Sequence, residues 1–230
     1  MGQFGVGQAI RRKEDARLLE GKGRYLDDIH FENQAYGAVL RSPHAYAKIK
    51  SINIENAINL DGVLDIITAK ELKADGISGI PCLAKVESRD GQDMANPLRP
   101  ILADEYVRYV GDYIAFVIAE TKETARAAIE QIEIDFDILE SITNPIDASK
   151  NESPTVWENL DSNRVFDWEN GNRENVDEIF NKSELKSEVN LINNRVVVNS
   201  MEPRGAIGQY DEDKNKFTLY TPSQNVHLMK

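Results

Sequence analysis

The chain has 230 residues, 41% hydrophobic and 29% charged, a balance that lets it bury a core. Asp and Glu total 39 against 27 Lys and Arg, a net charge of −12 that excludes general binding to nucleic acid or an anionic membrane, since both need basic patches. One cysteine, Cys82, rules out an intrachain disulfide and suits a reducing, cytoplasmic compartment, and no stretch approaches the roughly 18 apolar residues of a membrane span.

Residues 1–34 are polar and glycine-rich and read as an extended arm with a turn at Gly21-Lys22-Gly23. The start, MGQFGVGQAI, lacks the features of a secretory signal, and Val6 stands where a myristoylation signal wants Ser or Thr. Strands are expected over 36–42 and, with a bulge, over 46–54. A short helix, ENAINL, should stop at Asp61-Gly62, and strand 63–68 should lead into a helical turn. Residues 75–100 carry Gly76, Gly79, Pro81, Gly91, Pro97 and Pro100 and predict a long loop, a class that tends to be functional or mobile.

The clearest unit follows. Ile114 to Ala119 form a continuous apolar run, as in a strand covered on both faces. Thr121 is a plausible N-cap, and Ala125, Ala128, Ile129 and Ile132 fall at i, i+3, i+4 and i+7 on one helical face. Ile132, Ile134, Phe136 and Ile138 then alternate as in a half-buried strand. Residues 140–163 hold Pro145, Pro154 and many polar residues, a linker composition. RENVDEIF predicts a short helix, and SEVNLINN, RVVVNS, GAIGQYD and KFTLYT predict strands, the last two joined by a hairpin turn over 211–216. Pro222 to Asn225 are turn and cap residues, and Val226 to Met229 read as a first helical turn.

Candidate chemistry is sparse. GVGQAI (5–10) lacks the third glycine of a dinucleotide loop and follows no strand, so it reads as arm. His30, His44 and His227 are widely separated and no Cys-x-x-Cys occurs, which argues against a protein-ligated metal. No Gly-x-Ser-x-Gly elbow supports a hydrolase triad. Glu202-Pro203-Arg204 sets opposite charges at a strand break: an ion pair at a strand end, or a structural joint beside a site.

Five stretches carry a family resemblance: RRKEDARLLEGKGRYLDDI, LRSPHAYAKI, RPILADEYVRYVGDYIAFVIAET, LINNRVVVNSMEPRGAIGQYD and TLYTPSQNVH. Together they resemble the N-terminal part of a molybdenum hydroxylase large subunit of the xanthine dehydrogenase and aldehyde oxidase family, on the branch of the aerobic carbon monoxide dehydrogenase large subunit. The resemblance implies an α+β fold: an α/β hammerhead domain with its N-terminal arm over 1–140, a linker over 141–163, and over 164–230 the incomplete start of a mixed, strand-rich molybdopterin-binding domain. It implies an oxidoreductase that hydroxylates carbon with water as oxygen source. The cofactor it implies for the full-length parent is molybdopterin, in its cytosine dinucleotide form, with molybdenum, and copper beside it where carbon monoxide is the substrate. Electrons leave through a small iron–sulfur subunit and a medium flavin subunit, in an assembly expected to be homo-oligomeric.

One residue carries over. A glutamine beside an oxygen ligand of molybdenum corresponds to Gln224 of PSQN, whose neutral amide can donate a hydrogen bond without adding charge. By residue pattern alone Gln224 is a helix-cap glutamine, the site role coming from the resemblance, and no catalytic residue and no metal ligand is assigned. Val226 stands where relatives often have proline. The expectation is a fragment, inactive and free of bound cofactor by itself. The competing reading is a stand-alone, non-catalytic binding or assembly module that reuses the hammerhead fold.

Overall fold

The computed structural model describes residues 7, 9, 11–194 and 196–229. The readings placed on Met1-Gly2 and Arg195, and most of that on 5–10, lie outside these residues. The chain divides into two compact units, Met1–Gln34 with Glu188–Lys230, and Ala35–Ser187. In the first, the arm is not extended throughout: Asp15–Leu19 form a short helix, α1, with Asp15 in its first turn and Arg17 in its last. That placement complements the helix dipole, which a reading of glycine content overlooks. The expected turn is present, with Gly21 at φ 70°, a left-handed conformation that favours glycine.

In the larger unit, β1 (Tyr36–Arg41), β2 (Ala47–Asn53), α2 (Glu55–Ile58), β3 (Val63–Thr68), α3 (Ala69–Ala74), β4 (Tyr106–Val107), β5 (Tyr113–Ala119), α4 (Lys122–Ile129) and β6 (Glu133–Ile138) follow in order. They build two antiparallel three-stranded sheets, ordered β1-β5-β3 and β4-β2-β6. The two-residue β4 has no counterpart among the expected strands. The bulge expected in the second strand is a register shift between Ile49 and Ser51 of β2.

The apolar run of β5 is explained by its central position. Ala115, Val117 and Ala119 join Ile66 and the α4 residues Ala125 and Ala128 in one core cluster. Ile114 joins Ala47, Ile49, Ala103 and Val107 in another. The Phe116 ring covers Gly37 of β1, its tip only 2.1 Å from where a Cβ would stand, so any larger residue there would have to displace the ring. Ala125, Ala128 and Ile129 of the expected face lie on α4, whereas Ile132 falls past its Glu130 C-cap and is buried from the connection to β6; Thr121 accepts a hydrogen bond from the Thr124 backbone N–H at 3.0 Å. In β6, Ile134 and Phe136 are half-buried, but Ile138 is exposed because it ends the sheet.

Helix α3 starts with a reciprocal cap. The Lys70 N–H donates to the Thr68 hydroxyl, and the Thr68 N–H donates to Glu71 at 2.9 Å. The Thr68 hydroxyl also bonds Glu71 at 2.5 Å, and this bond holds the Glu71 carboxyl below its ordinary range. The long loop lacks helix and strand but is stitched by single bridges, Ile80 to Arg99 and Glu87 to Asp93. Residues 141–163, expected as linker, include the helical turn α5 (Pro145–Ala148), capped by Asn144, and belong to the larger unit. Next comes α6 (Arg173–Lys182), capped by Asn172, whose Val176, Ile179 and Phe180 are exposed.

In the other unit, β7 (Ile207–Asp211) and β8 (Lys216–Tyr220) form the expected hairpin, followed by α7 (Val226–Met229). Asn215, at φ 48°, supplies the left-handed residue of the turn, and the Asp211 carboxylate accepts from the Lys214 N–H. The strands expected at SEVNLINN and RVVVNS do not form among the described residues. Apolar pattern alone does not make a strand, since its N–H and C=O groups need a partner edge, and no strand pairs with 187–200 there.

Candidate functional site

The hairpin β7–β8 carries the candidate segment at its open end. Tyr220, the last residue of β8, is half-buried, with its ring 5.3 Å from that of Phe31. Thr221 donates its hydroxyl to the Gly205 carbonyl at 3.0 Å, tying the segments that flank the hairpin. The chain then turns: the Asn225 N–H donates to the Ser223 hydroxyl at 3.1 Å, and the Leu228 N–H to the Asn225 carbonyl at 3.2 Å. Gln224 lies in this turn, one residue past the Ser223 hydroxyl, and is exposed. Among the described residues the Gln224 side chain makes no hydrogen bond.

Glu202 behaves as a joint. Its carboxylate accepts from the backbone N–H of Leu26 at 2.9 Å, across 176 residues of sequence. The Leu26 side-chain methyl lies 2.6 Å from where Gly205 would carry a Cβ, so a larger residue there would push the leucine end aside. No Glu202–Arg204 ion pair is present among the described residues. The strand-end ion pair is thus replaced by a contact that fastens residues 25–28 to the loop 201–205, which together line a cleft of about 100 Å³.

A second constellation, in the larger unit, escaped sequence reasoning. Arg108, just past β4, is largely buried, its side chain 14% exposed. Its guanidinium donates to Glu158 at 2.9 Å and to the Val156 carbonyl at 3.2 Å, and lies 4.0 Å from the Trp157 ring centroid. Tyr46 donates to the same Glu158 carboxylate at 2.7 Å, and its ring stacks on Tyr106. Burial, reinforced by the Glu158 charge, pushes the Tyr46 hydroxyl up to about 12. Burial opposes the Glu158 charge, but bonds from Tyr46 and Arg108 outweigh it and hold the carboxyl below its ordinary range. The cluster borders a cleft of about 310 Å³ whose apolar wall includes Leu72, Ile77, Leu98, Ile101 and Trp157. Only the pairing of an arginine with a Trp-Glu dipeptide fifty residues on could have signalled it.

The histidines do not converge. His30 and His227 are exposed, and His44 stands edge-on to Phe136 at 4.9 Å. Among the described residues no group of three or more His, Cys, Asp or Glu could hold a metal ion, and no helix is long and apolar enough to cross a membrane. Ser223, Gln224 and Asn225 offer neutral hydrogen-bonding groups and no charge. This donor set fits one contact to a neutral or oxo edge of a cofactor, and it lacks the cations a phosphate group would call for.

Residues 20–140 match the family described as aldehyde oxidase and xanthine dehydrogenase, a/b hammerhead domain, and residues 156–230 match the molybdopterin cofactor-binding domain. The carbon monoxide dehydrogenase large chain of Afipia carboxidovorans is 31% identical over 98% of this chain and 28% of its own length. The nicotine 6-hydroxylase large subunit of Paenarthrobacter nicotinovorans is 28% identical over 98% of this chain and 27% of its own. The fold is similar to that of a Cu,Mo-CO dehydrogenase crystal structure, with a TM-score of 0.82, 30% identity and coverage of 98% of this chain and 28% of that one. The chain thus spans little more than a quarter of the length of these relatives. With the hammerhead match covering over half its residues and the cofactor-domain match following it in order, the chain belongs to the aldehyde oxidase and xanthine dehydrogenase family.

Proposed function

We propose that these residues serve in the catalytic subunit of a molybdopterin-dependent hydroxylase or dehydrogenase, of the carbon monoxide dehydrogenase or the aldehyde and xanthine dehydrogenase kind. The observation that carries this reading is the succession of hammerhead and cofactor-domain matches along one chain, in a fold similar over 98% of its residues to a CO dehydrogenase. In this reading residues 1–140 are the hammerhead domain with its arm, 141–163 a linker and 164–230 the start of the cofactor-binding domain. The cofactor, in its cytosine dinucleotide form, would supply oxygen transfer from water and take up the substrate's electrons. Iron–sulfur and flavin subunits would receive them. Relatives named "large chain" and "large subunit" support a multi-subunit enzyme. A cytoplasmic setting suits the single thiol of Cys82.

Within this reading Gln224 holds the cofactor edge. Its exposed amide stands in the turn held by the Asn225 N–H to Ser223 bond and makes no hydrogen bond of its own among the described residues, so it can donate to an oxygen ligand whose charge changes during turnover. Such a preorganised donor favours the transition state, and its loss costs roughly 3 kcal/mol, on the order of a hundredfold in rate. The test is Gln224→Ala in the catalytic subunit containing these residues, assembled with its partners, read as turnover per bound molybdenum. A sharp loss at intact molybdenum content is expected. Wild-type turnover would remove Gln224 from the site. An assembled protein without molybdenum or hydroxylase activity would favour a non-catalytic binding module instead.

A further inference from the structure

The boundary between the family matches and the boundary between the compact units do not coincide. The cofactor-domain match begins at 156, yet residues up to Ser187 belong to the same unit as the hammerhead sheets. Residues 154–169 run along that unit as a ribbon without regular structure. Two arginines hold them. Arg108 binds the Glu158 carboxylate, the Val156 carbonyl and the Trp157 face. Arg89 binds Asp167 and, at 2.9 Å, Glu169. Backbone bonds run alongside: Arg89 N–H to the Asp167 carbonyl and Ala95 N–H to the Val165 carbonyl, both 2.8 Å. Asn163 closes the ribbon on itself, accepting from the Val156 N–H and donating to the Pro154 carbonyl, each at 2.8 Å.

Two features separate this ribbon from an integral part of the core. Neither buried cluster includes any of its residues, and none of residues 154–169 is fully buried. Its charged anchors are carboxylates on the ribbon, and the arginine pins sit outside it, Arg108 just past β4 and Arg89 in the long loop. Hydrogen bonds and ion pairs at partly exposed positions open locally at far lower cost than a packed core. We propose that residues 154–169 are a detachable strap, pinned by Arg108 and Arg89, by which the first residues of the cofactor-binding segment are fastened to the hammerhead unit. The strap also walls the cleft beside it: Trp157 and Glu158 line it together with Leu98 of the long loop and Ile101 just past it. Release of the strap opens that cleft and frees the long loop, while the two sheets stay folded.

The 230-residue chain has two tryptophans, Trp157 and Trp168, so Trp168→Phe makes Trp157 the sole fluorescent reporter of the strap. In that background, Arg108→Ala is expected to red-shift Trp157 emission and raise its quenching by iodide. Tryptic cleavage after Arg164 should quicken about tenfold, the effect of losing one charged hydrogen-bond set that restrains a local opening. The urea midpoint followed by far-UV circular dichroism should stay in place. Glu158→Gln should give the same changes in smaller measure, and Arg89→Ala should speed cleavage after Arg164 with little change at Trp157. The proposal is overturned if Trp157 emission and cleavage are unaltered in all three variants. It is equally overturned if the strap and the core unfold together, including the case in which Arg108→Ala does not fold, because the strap would then be an integral part of the core.

Discussion

Two apolar runs of similar composition have opposite fates. Ile114 to Ala119 form the centre of a sheet, with Ile114, Ala115, Val117 and Ala119 at 0% exposure. Val196, Val197 and Val198 are 82–89% exposed and pair with no strand among the described residues. The first run has β1 and β3 as partners on its two edges and α4 across one face. The second has none of these. A β-prone run is a request for partners, and burial follows only where the rest of the chain supplies them.

This contrast is sharpened most by mutation at the two extremes. Ile114→Ala removes a fully buried side chain from a cluster with Val107 and Ala103 and should cost about 3 kcal/mol in a urea unfolding experiment. Val197→Ala should fall within about 0.5 kcal/mol of wild type, because a side chain already in water loses little. Equal losses at the two positions would mean that the valine run is buried in solution. Native-state hydrogen exchange checks the same point without mutation. Amides of β5 should exchange only through global unfolding, whereas those of 196–198 should exchange with little protection.

Smaller effects come from the helix caps of the well-packed unit. Thr121→Ala removes the acceptor for the Thr124 N–H and should cost about 1 kcal/mol. Thr68→Ala should cost a similar amount and also raise the Glu71 carboxyl toward its ordinary 4.5, since the Thr68 bond is the first cause of its depression. Because the folded-state pKa of Glu71 lies below the unfolded one, its contribution is present above that range and lost as pH falls through the depressed value. Glu158 titrates in the same sense. Stability measured by urea should therefore fall from pH 5 downward, more steeply in wild type than in Glu71→Gln, and identical pH profiles would refute the assignment. Tyr46 works at the other end. Its hydroxyl is raised to about 12, so its contribution is intact below the ordinary 10.0 and lost as pH rises towards 12. A Tyr46→Phe chain should show a flatter alkaline limb. The smallest effect is Gln224→Ala in this chain by itself. An exposed turn residue far from core contacts should shift stability by less than about 0.5 kcal/mol.

What the residues determined locally was legible. The strand–helix–strand unit over 113–138 follows from a continuous apolar run, a Thr121 cap and a helical stripe of alanine and isoleucine, each a short-range pattern. The hairpin at 211–216 follows from turn chemistry, and the bulge in β2 from a broken alternation. The family, too, was legible, because its stretches lie along most of the chain in order. Gln224 was singled out by such a stretch and not by any local physical pattern.

Long-range pairing was not legible. Whether 187–200 becomes a strand depends on an edge supplied from elsewhere. Residues 141–163 have a linker's composition, yet Arg108, Tyr46 and Glu158, scattered over more than a hundred residues, hold their end against the sheet. Glu202 reaches Leu26 in the same way. Sequence alone thus determined the elements whose hydrogen bonds and apolar faces are satisfied within a few turns of chain. Only the tertiary structure decided those whose partners lie far along it, because a charge or an exposed strand edge carries no mark of which distant group will meet it.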